Sequence, residues 1–226
     1  MDKVSLLFPF KTDKGHREKI FEWVRKYYKY YFPNFEQCIG ISRSQDFSRA
    51  QAINNAAQSA SGEILIIHDC DIICSPKSIM DSLVLIRKKP WVIPYSKVFD
   101  MSKRDTDFFI NYPARWPVKG TYEYSERLNG KFPTVGGVNV ISKISFTKVK
   151  GFDERFIGWG GEDDAFAYTV DHLCGNHSRL DSEIIHLWHP RSEPVNNMNY
   201  QRNLLLLKSY QQCKNNNDLI RILSKR

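Results

Sequence analysis

Apolar residues come in short runs broken by glycine, proline and polar clusters, and the spacing within each run predicts its element. Val4 to Phe8 is a short apolar run stopped by Pro9, which predicts a buried strand with a loop at its carboxyl end. From Gly15 to Phe32, residues Ile20, Trp23, Val24, Tyr27, Tyr28 and Tyr31 recur at three-to-four spacing between lysines and arginines, the stripe of an amphipathic helix. Phe35 to Ser42 predicts a second strand, and the alanine-rich stretch Ser48 to Ser59 a second helix closed by Ser61-Gly62. Glu63 to His68 contains Ile64-Leu65-Ile66-Ile67, a continuous apolar run of the kind found in the middle of a parallel sheet, and it ends at Asp69-Cys70-Asp71. Ser75 to Lys88 predicts a helix with Pro76 at its first position.

Beyond Lys88 the pattern weakens. Trp91 to Tyr95 predicts a strand; residues 100–134 are aromatic and charged with no clear period and are expected to be irregular. Thr134 to Ile141 predicts a strand that includes Gly136-Gly137, Ser145 to Val149 a short helix, Ala165 to Leu173 a helix after an acidic cluster, and Ile184 to His186 a short strand. Asn199 to Cys213 predicts a helix, and Asn215-Asn216-Asn217-Asp218 a break before a basic last helix. Alternating strands and helices predict an α/β open sheet flanked by helices. Ligands of such sheets bind beyond the carboxyl ends of the strands, where Pro9-Phe10-Lys11, Ser42-Arg43 and Asp69-Cys70-Asp71 would meet. With no repeat or low-complexity tract, residues 1–226 are expected to form a single domain.

Composition narrows the class. An apolar content of 42% with 13% aromatic residues excludes a disordered chain. A net charge of +8 suits anionic partners such as nucleotide phosphates, nucleic acid or an anionic membrane, and equally a solvated lysine-rich surface. The five cysteines are scattered, without a CxxC pair, which predicts a reduced, intracellular protein. The amino-terminal run is too short for a signal peptide, and no apolar stretch approaches the ~20 residues that span a bilayer. The expectation is a cytoplasmic protein without a transmembrane segment. The basic, aromatic helix at Lys14 to Phe32 offers peripheral membrane contact, against the plainer reading of an outer helix of the fold.

Candidate chemistry concentrates at two acidic clusters. In Gly158-Trp159-Gly160-Gly161-Glu162-Asp163-Asp164, glycines let the backbone approach a ligand, the tryptophan offers a face for stacking on sugars, and clustered acids push a carboxyl pKa upward toward general-base range. Asp69 and Asp71 can hold a hard divalent cation such as Mn²⁺ or Mg²⁺, although two acids at a strand end also serve as turn formers. His186 and His189 form an HxxHP pair that suits two ligands, or one ligand and a supporting partner, with His186 the stronger candidate. Arg49 at a helix start can grip a phosphate, as can Lys11 in the first loop.

Phe8-Pro9-Phe10-Lys11, Phe47-Ser48-Arg49-Ala50 and Asp69-Cys70-Asp71 resemble the donor half of a GT-A glycosyltransferase. Val135-Gly136-Gly137-Val138-Asn139, Gly151-Phe152-Asp153 and the GWGGEDD run closely resemble the β-1,4-galactosyltransferases and the related bacterial chondroitin-type transferases. The resemblance implies a single GT-A domain: a nucleotide-sugar half at 1–95, an acceptor and catalytic half at 96–195, and carboxyl-terminal helices at 196–226. It implies that Asp71 and His186 bind Mn²⁺, with Pro9, Phe10, Lys11, Phe47, Arg49, Asp69 and Cys70 around a UDP-sugar. Gly137, Trp159 and Gly160 would shape the sugar pocket, and Trp159, Gly161 and Asp164 the acceptor side. Glu162 and Asp163 would be catalytic, with Asp163 the base that deprotonates an acceptor hydroxyl in an inverting transfer. Lys11 stands where the animal members carry arginine, Ala165 where they carry a further acid, and residues 100–134 show no resemblance that assigns them a role.

The expected reaction is transfer of a hexose or N-acetylhexosamine to a saccharide of a bacterial surface glycan, lipid-linked saccharides included. Two alternatives share the same residues: a phage-type transferase acting on hydroxymethylated DNA, and a metal-dependent nuclease or phosphotransferase.

Overall fold

The computed structural model describes residues 2–117, 121–127, 134–158, 160–190 and 199–226. Its main sheet begins with β1 (Val4–Pro9), which pairs in parallel with β2 (Glu36–Gly40) and with β3 (Ile64–His68). β1 and β3 are buried along their whole length, as their uninterrupted apolar sequence requires. Each fully buried aliphatic side chain there contributes roughly 1.5–3 kcal/mol. Beyond β3 the direction reverses. β8 (Val138–Ser142) runs antiparallel to β3, β5 (Trp91–Ile93) antiparallel to β8, and β9 (Ser178–Arg179) parallel to β5.

Helix α1 (His16–Tyr31) buries Ile20, Phe21, Trp23, Val24, Tyr27 and Tyr28, the stripe read from the sequence. Its tyrosines are tied inward: Tyr27 donates to the Cys74 carbonyl at 2.9 Å, and Tyr28 contacts His68 in the core. The aromatic face proposed for a membrane surface is therefore the inner face of the fold, buried by the sheet it covers. No helix of the described residues is long and apolar enough to cross a membrane. Helix α2 (Arg49–Ser59) is capped by Ser48, whose hydroxyl accepts from the Gln51 amide, and α3 (Pro76–Leu85) by Ser75 in the same way.

A second sheet has the order β4 (Ile72–Cys74), β10 (Glu183–His186), β6 (Lys97–Met101), β7 (Tyr124–Glu126). Here the structure corrects the expectation of irregular chain over 100–134: the last two residues of β6, helix α4 (Lys103–Phe109) and β7 fall there. Their pairing is long-range, β6 with β10 and with β7, so no local period announces it. Helix α5 (Lys143–Lys148) starts two residues before its predicted position. Helix α6 (Glu162–Cys174) starts at the acidic cluster itself, because three carboxylates in a first turn face the positive end of the helix. Helices α7 (Tyr200–Gln211) and α8 (Asn216–Leu223) pack beside α6 around Phe156, Ala165, Tyr210 and Leu219.

Candidate active site

Hydrogen bonds to backbone carbonyls draw five segments together beyond the carboxyl ends of β1 and β3. The Asp69 amide donates to the Gly137 carbonyl at 2.8 Å, and the Leu187 amide to the Asp71 carbonyl at 2.8 Å. The Gly158 amide donates to the Phe47 carbonyl at 3.1 Å, and the Ser48 hydroxyl to the Phe156 carbonyl at 3.0 Å. The start of α2 is thus tied to the glycine turn before α6. In that turn Gly158, Gly160 and Gly161 all have positive φ, which side-chain-bearing residues rarely adopt.

The two acids of Asp69-Cys70-Asp71 go to different partners. Asp69 accepts from Nε of Arg49 at 2.7 Å, whereas Asp71 faces His189 Nε2 at 3.1 Å, His186 Nε2 at 3.9 Å and Arg17 Nη2 at 3.0 Å. Asp71, His186 and His189 offer ligand atoms within 4.8 Å of one another. The turn fans the two acids apart, so Asp69 stands with Arg49, and His189 joins Asp71 and His186 in the cluster. Each histidine engages Nδ1 elsewhere: His186 on Asp100 at 2.9 Å, His189 on the Pro190 carbonyl at 2.8 Å. Donation from Nδ1 leaves Nε2 of both rings aimed at Asp71, the arrangement that orients metal-ligating histidines. Two imidazole nitrogens and one carboxylate oxygen, all close to buried, form a donor set that fits a divalent cation. Asp100 is in turn gripped by both Nε and Nη2 of Arg127, from the region without sequence signal. Burial opposes ionisation of Asp71, but the His189 hydrogen bond and the His186 and Arg17 charges outweigh it and hold the carboxyl well below the usual range.

Arg49 joins this centre to the second acidic cluster. Its Nη1 donates to Asp163 Oδ1 at 2.6 Å and lies 3.7 Å from Glu162 Oε1. Nη2 is buried and unpartnered among the described residues, a donor with capacity for one more acceptor. The other Asp163 oxygen, Oδ2, lies over Gly136, so close that a Cβ built there would sit 2.2 Å away. Burial and the neighbouring Asp163 push the Glu162 carboxyl up to about 7, against the opposing charge of Arg49. Burial likewise raises Asp69 to about 6 despite Arg49.

Other predicted site residues are less central. Cys70 is buried and donates its thiol to the Pro9 carbonyl at 3.0 Å, so it can face a ligand only through its backbone. Phe10 stacks on Phe21 with ring centroids 4.4 Å apart, and Phe47 is half-buried beside the glycine turn. Lys11 and Asp164 are exposed. A Cβ on Gly161 would meet Phe156 at 3.0 Å and Leu207 at 3.4 Å, so that glycine serves helix packing. Gly137 at φ +90° abuts Ile72, and Gly160 lies next to Tyr200. Trp159 lies outside the described residues.

A family model described as the N-terminal domain of galactosyltransferase matches residues 122–192, the stretch that contains Gly136, Asp163, His186 and His189. Beta-1,4-galactosyltransferase 4 of Homo sapiens is 44% identical over 48 residues, 21% of this chain. That match spans only 13% of the human protein's length. The catalytic domain of Drosophila beta1,4-galactosyltransferase 7, solved with xylobiose, superposes with a TM-score of 0.57 at 17% identity, over 95% of this chain and 83% of that one. The fold is that of the GT-A glycosyltransferases, and residues 122–192 are similar to the galactosyltransferase domain. The fold is shared more widely. Glucosyl-3-phosphoglycerate synthase of Mycobacterium tuberculosis, in complex with Mn²⁺, UDP-glucose and phosphoglyceric acid, superposes at 0.57 with 13% identity over 93% of this chain and 78% of that one. A Pyrobaculum calidifontis mannosyltransferase in complex with GDP-mannose and Mn²⁺ superposes at 0.55 with 14% identity over 99% and 68%. The two structures of like fold carry different donors, UDP-glucose in one and GDP-mannose in the other.

Proposed function

We propose that this protein is a metal-dependent glycosyltransferase that moves a hexose or N-acetylhexosamine from a UDP-sugar to a saccharide hydroxyl with inversion at the anomeric carbon. One observation carries the reading. The Asp71–His186–His189 cluster and the Arg49–Asp163–Glu162 cluster stand side by side, joined through Asp69. A nuclease would account for the first cluster but not for a base held beside a glycine cradle; the GT-A relatives with UDP-sugars or GDP-mannose support the transferase.

Asp71, His186 and His189 would hold Mn²⁺, which supplies charge neutralisation to a departing diphosphate. Arg49, with Nη2 free of protein partners among the described residues, is the donor to a phosphate or sugar oxygen on the same side. Asp163 Oδ2 accepts the acceptor hydroxyl's proton as the oxygen attacks the anomeric carbon and the carbon–oxygen bond to the diphosphate breaks. Proton removal in this way is worth ~10²–10⁴-fold. The raised Glu162 carboxyl holds a proton up to near neutral pH and can donate a hydrogen bond to a sugar oxygen.

The test uses the parent, Asp163→Asn and His189→Ala with UDP-galactose, UDP-glucose and their N-acetyl counterparts. The parent is expected to release UDP only with Mn²⁺ and an acceptor saccharide. Asp163→Asn should keep the thermal stabilisation given by Mn²⁺ plus UDP yet lose turnover by 10² or more. His189→Ala should lose the stabilisation. Turnover by Asp163→Asn at the parental rate, or full activity of the parent in excess chelator, overturns the assignment.

A further inference from the structure

Arg17 was singled out by no sequence feature, and it sits on the most consequential oxygen in the molecule. It lies in the first turn of α1, where its backbone amide donates to Asp13 Oδ2 at 3.0 Å, in a cap that also takes the Gly15 and Glu18 amides. From this anchored start its side chain reaches across to Asp71 Oδ2 at 3.0 Å. The same Oδ2 lies 3.1 Å from His189 Nε2. Asp71 is 6% exposed at its side chain and Arg17 37%, so the acid is fixed in the interior while the guanidinium has one side open to solvent.

A guanidinium and a divalent cation compete for one small buried carboxylate, since two like charges drawn to the same group repel each other in an interior of low dielectric. We propose that Arg17 is a stand-in cation: it neutralises Asp71 when the metal site is empty, is displaced when a divalent cation enters, and then closes on the nucleotide diphosphate that the cation carries. The planar fork suits this second role, since it matches phosphate geometry bidentately and is held at an anchored helix start beside the Lys11 and Lys14 loop. The consequence is a binding order. Free protein resists the bare cation, because entry breaks the Arg17–Asp71 pair. A nucleotide diphosphate offers the displaced guanidinium a new partner and lifts that resistance, and by linkage the cation raises nucleotide affinity by the same factor. This rests on the glycosyltransferase reading above, for the metal site and for UDP.

The test measures Mn²⁺ affinity by the electron paramagnetic resonance signal of the free ion, with and without UDP, corrected for the Mn²⁺–UDP complex in solution. Parent, Arg17→Met, Arg17→Ala and Lys103→Ala are compared, with circular dichroism to verify the fold. Lys103, whose ammonium lies 5.4 Å from the Trp188 ring between the two histidines, controls for a general loss of positive charge. Both Arg17 variants should bind Mn²⁺ alone on the order of 10-fold more tightly than the parent, and the enhancement by UDP should shrink by about the same factor. Lys103→Ala should change neither. Arg17 variants that bind the bare ion no better than the parent overturn the inference while leaving the metal site intact, as does an equal tightening in Lys103→Ala. Failure of the parent to bind Mn²⁺ even with UDP removes the metal site and the inference together.

Discussion

Replacing Gly136 by alanine puts a methyl carbon 2.2 Å from Asp163 Oδ2 and 2.8 Å from Cγ of the same side chain. Ordinary contact starts near 3.4 Å, so Oδ2 must retreat by about 1.2 Å, swinging about the bond that Oδ1 keeps to Arg49. The main chain does not resist, because Gly136 lies outside the left-handed region that favours glycine. Turning Asp163 off its rotamer costs ~0.5–1.5 kcal/mol, and the alanine recovers roughly 0.4–1 kcal/mol by restricting the unfolded chain. Stability should therefore move by less than ~1 kcal/mol, and the thermal midpoint by a few degrees at most. Activity should respond differently. A base misplaced by about 1 Å forfeits on the order of 10² in rate, or about 2.7 kcal/mol of barrier. The assay is Mn²⁺-dependent UDP release with the best donor and acceptor, beside a melt of the same sample. Gly137→Ala supplies the contrast. At φ +90° and 2.9 Å from Ile72 it strains the backbone and should lower the midpoint directly. Parental turnover by Gly136→Ala with an unchanged melt would show that Asp163 does not act from the position over Gly136.

Glu162→Gln tests the buried carboxyl: with a folded pKa near 7 against 4.5 for the free group, the folded chain holds the extra proton between those values, so Glu162 makes stability fall as pH rises from 4.5 to 7. The glutamine variant should match the parent below pH 4.5 and exceed it at pH 8 by up to about 3 kcal/mol in denaturant titration; a parental pH profile would remove the raised carboxyl. Arg49→Met strips the cation from three acids, Asp69, Glu162 and Asp163, and should cost ~3–5 kcal/mol at pH 8 with partial recovery at pH 5, where protonation relieves the repulsion. Equal loss at both pH values would show that Arg49 serves packing against Phe152 instead of charge balance.

What the sequence determined was the part of the fold written in local periodicity. The strands β1 and β3, the stripe of α1 and the serine caps of α2 and α3 follow from residues close together in the chain. The two acidic clusters were legible for the same reason, since glycine turns and strand ends are local signals. Tertiary structure alone decided how the acids divide. Asp69 and Asp71 are two residues apart and indistinguishable as letters, yet one meets Arg49 and the other meets His189 and Arg17. That split depends on the long-range bonds that fix the turn, Asp69 to Gly137 and Leu187 to Asp71. The second sheet, with Asp100 and Arg127 behind His186, was hidden because its strands are short and pair across distant segments. A partner 54 residues away, as Arg17 is to Asp71, leaves no trace in spacing; only the folded chain brings the two charges to one oxygen.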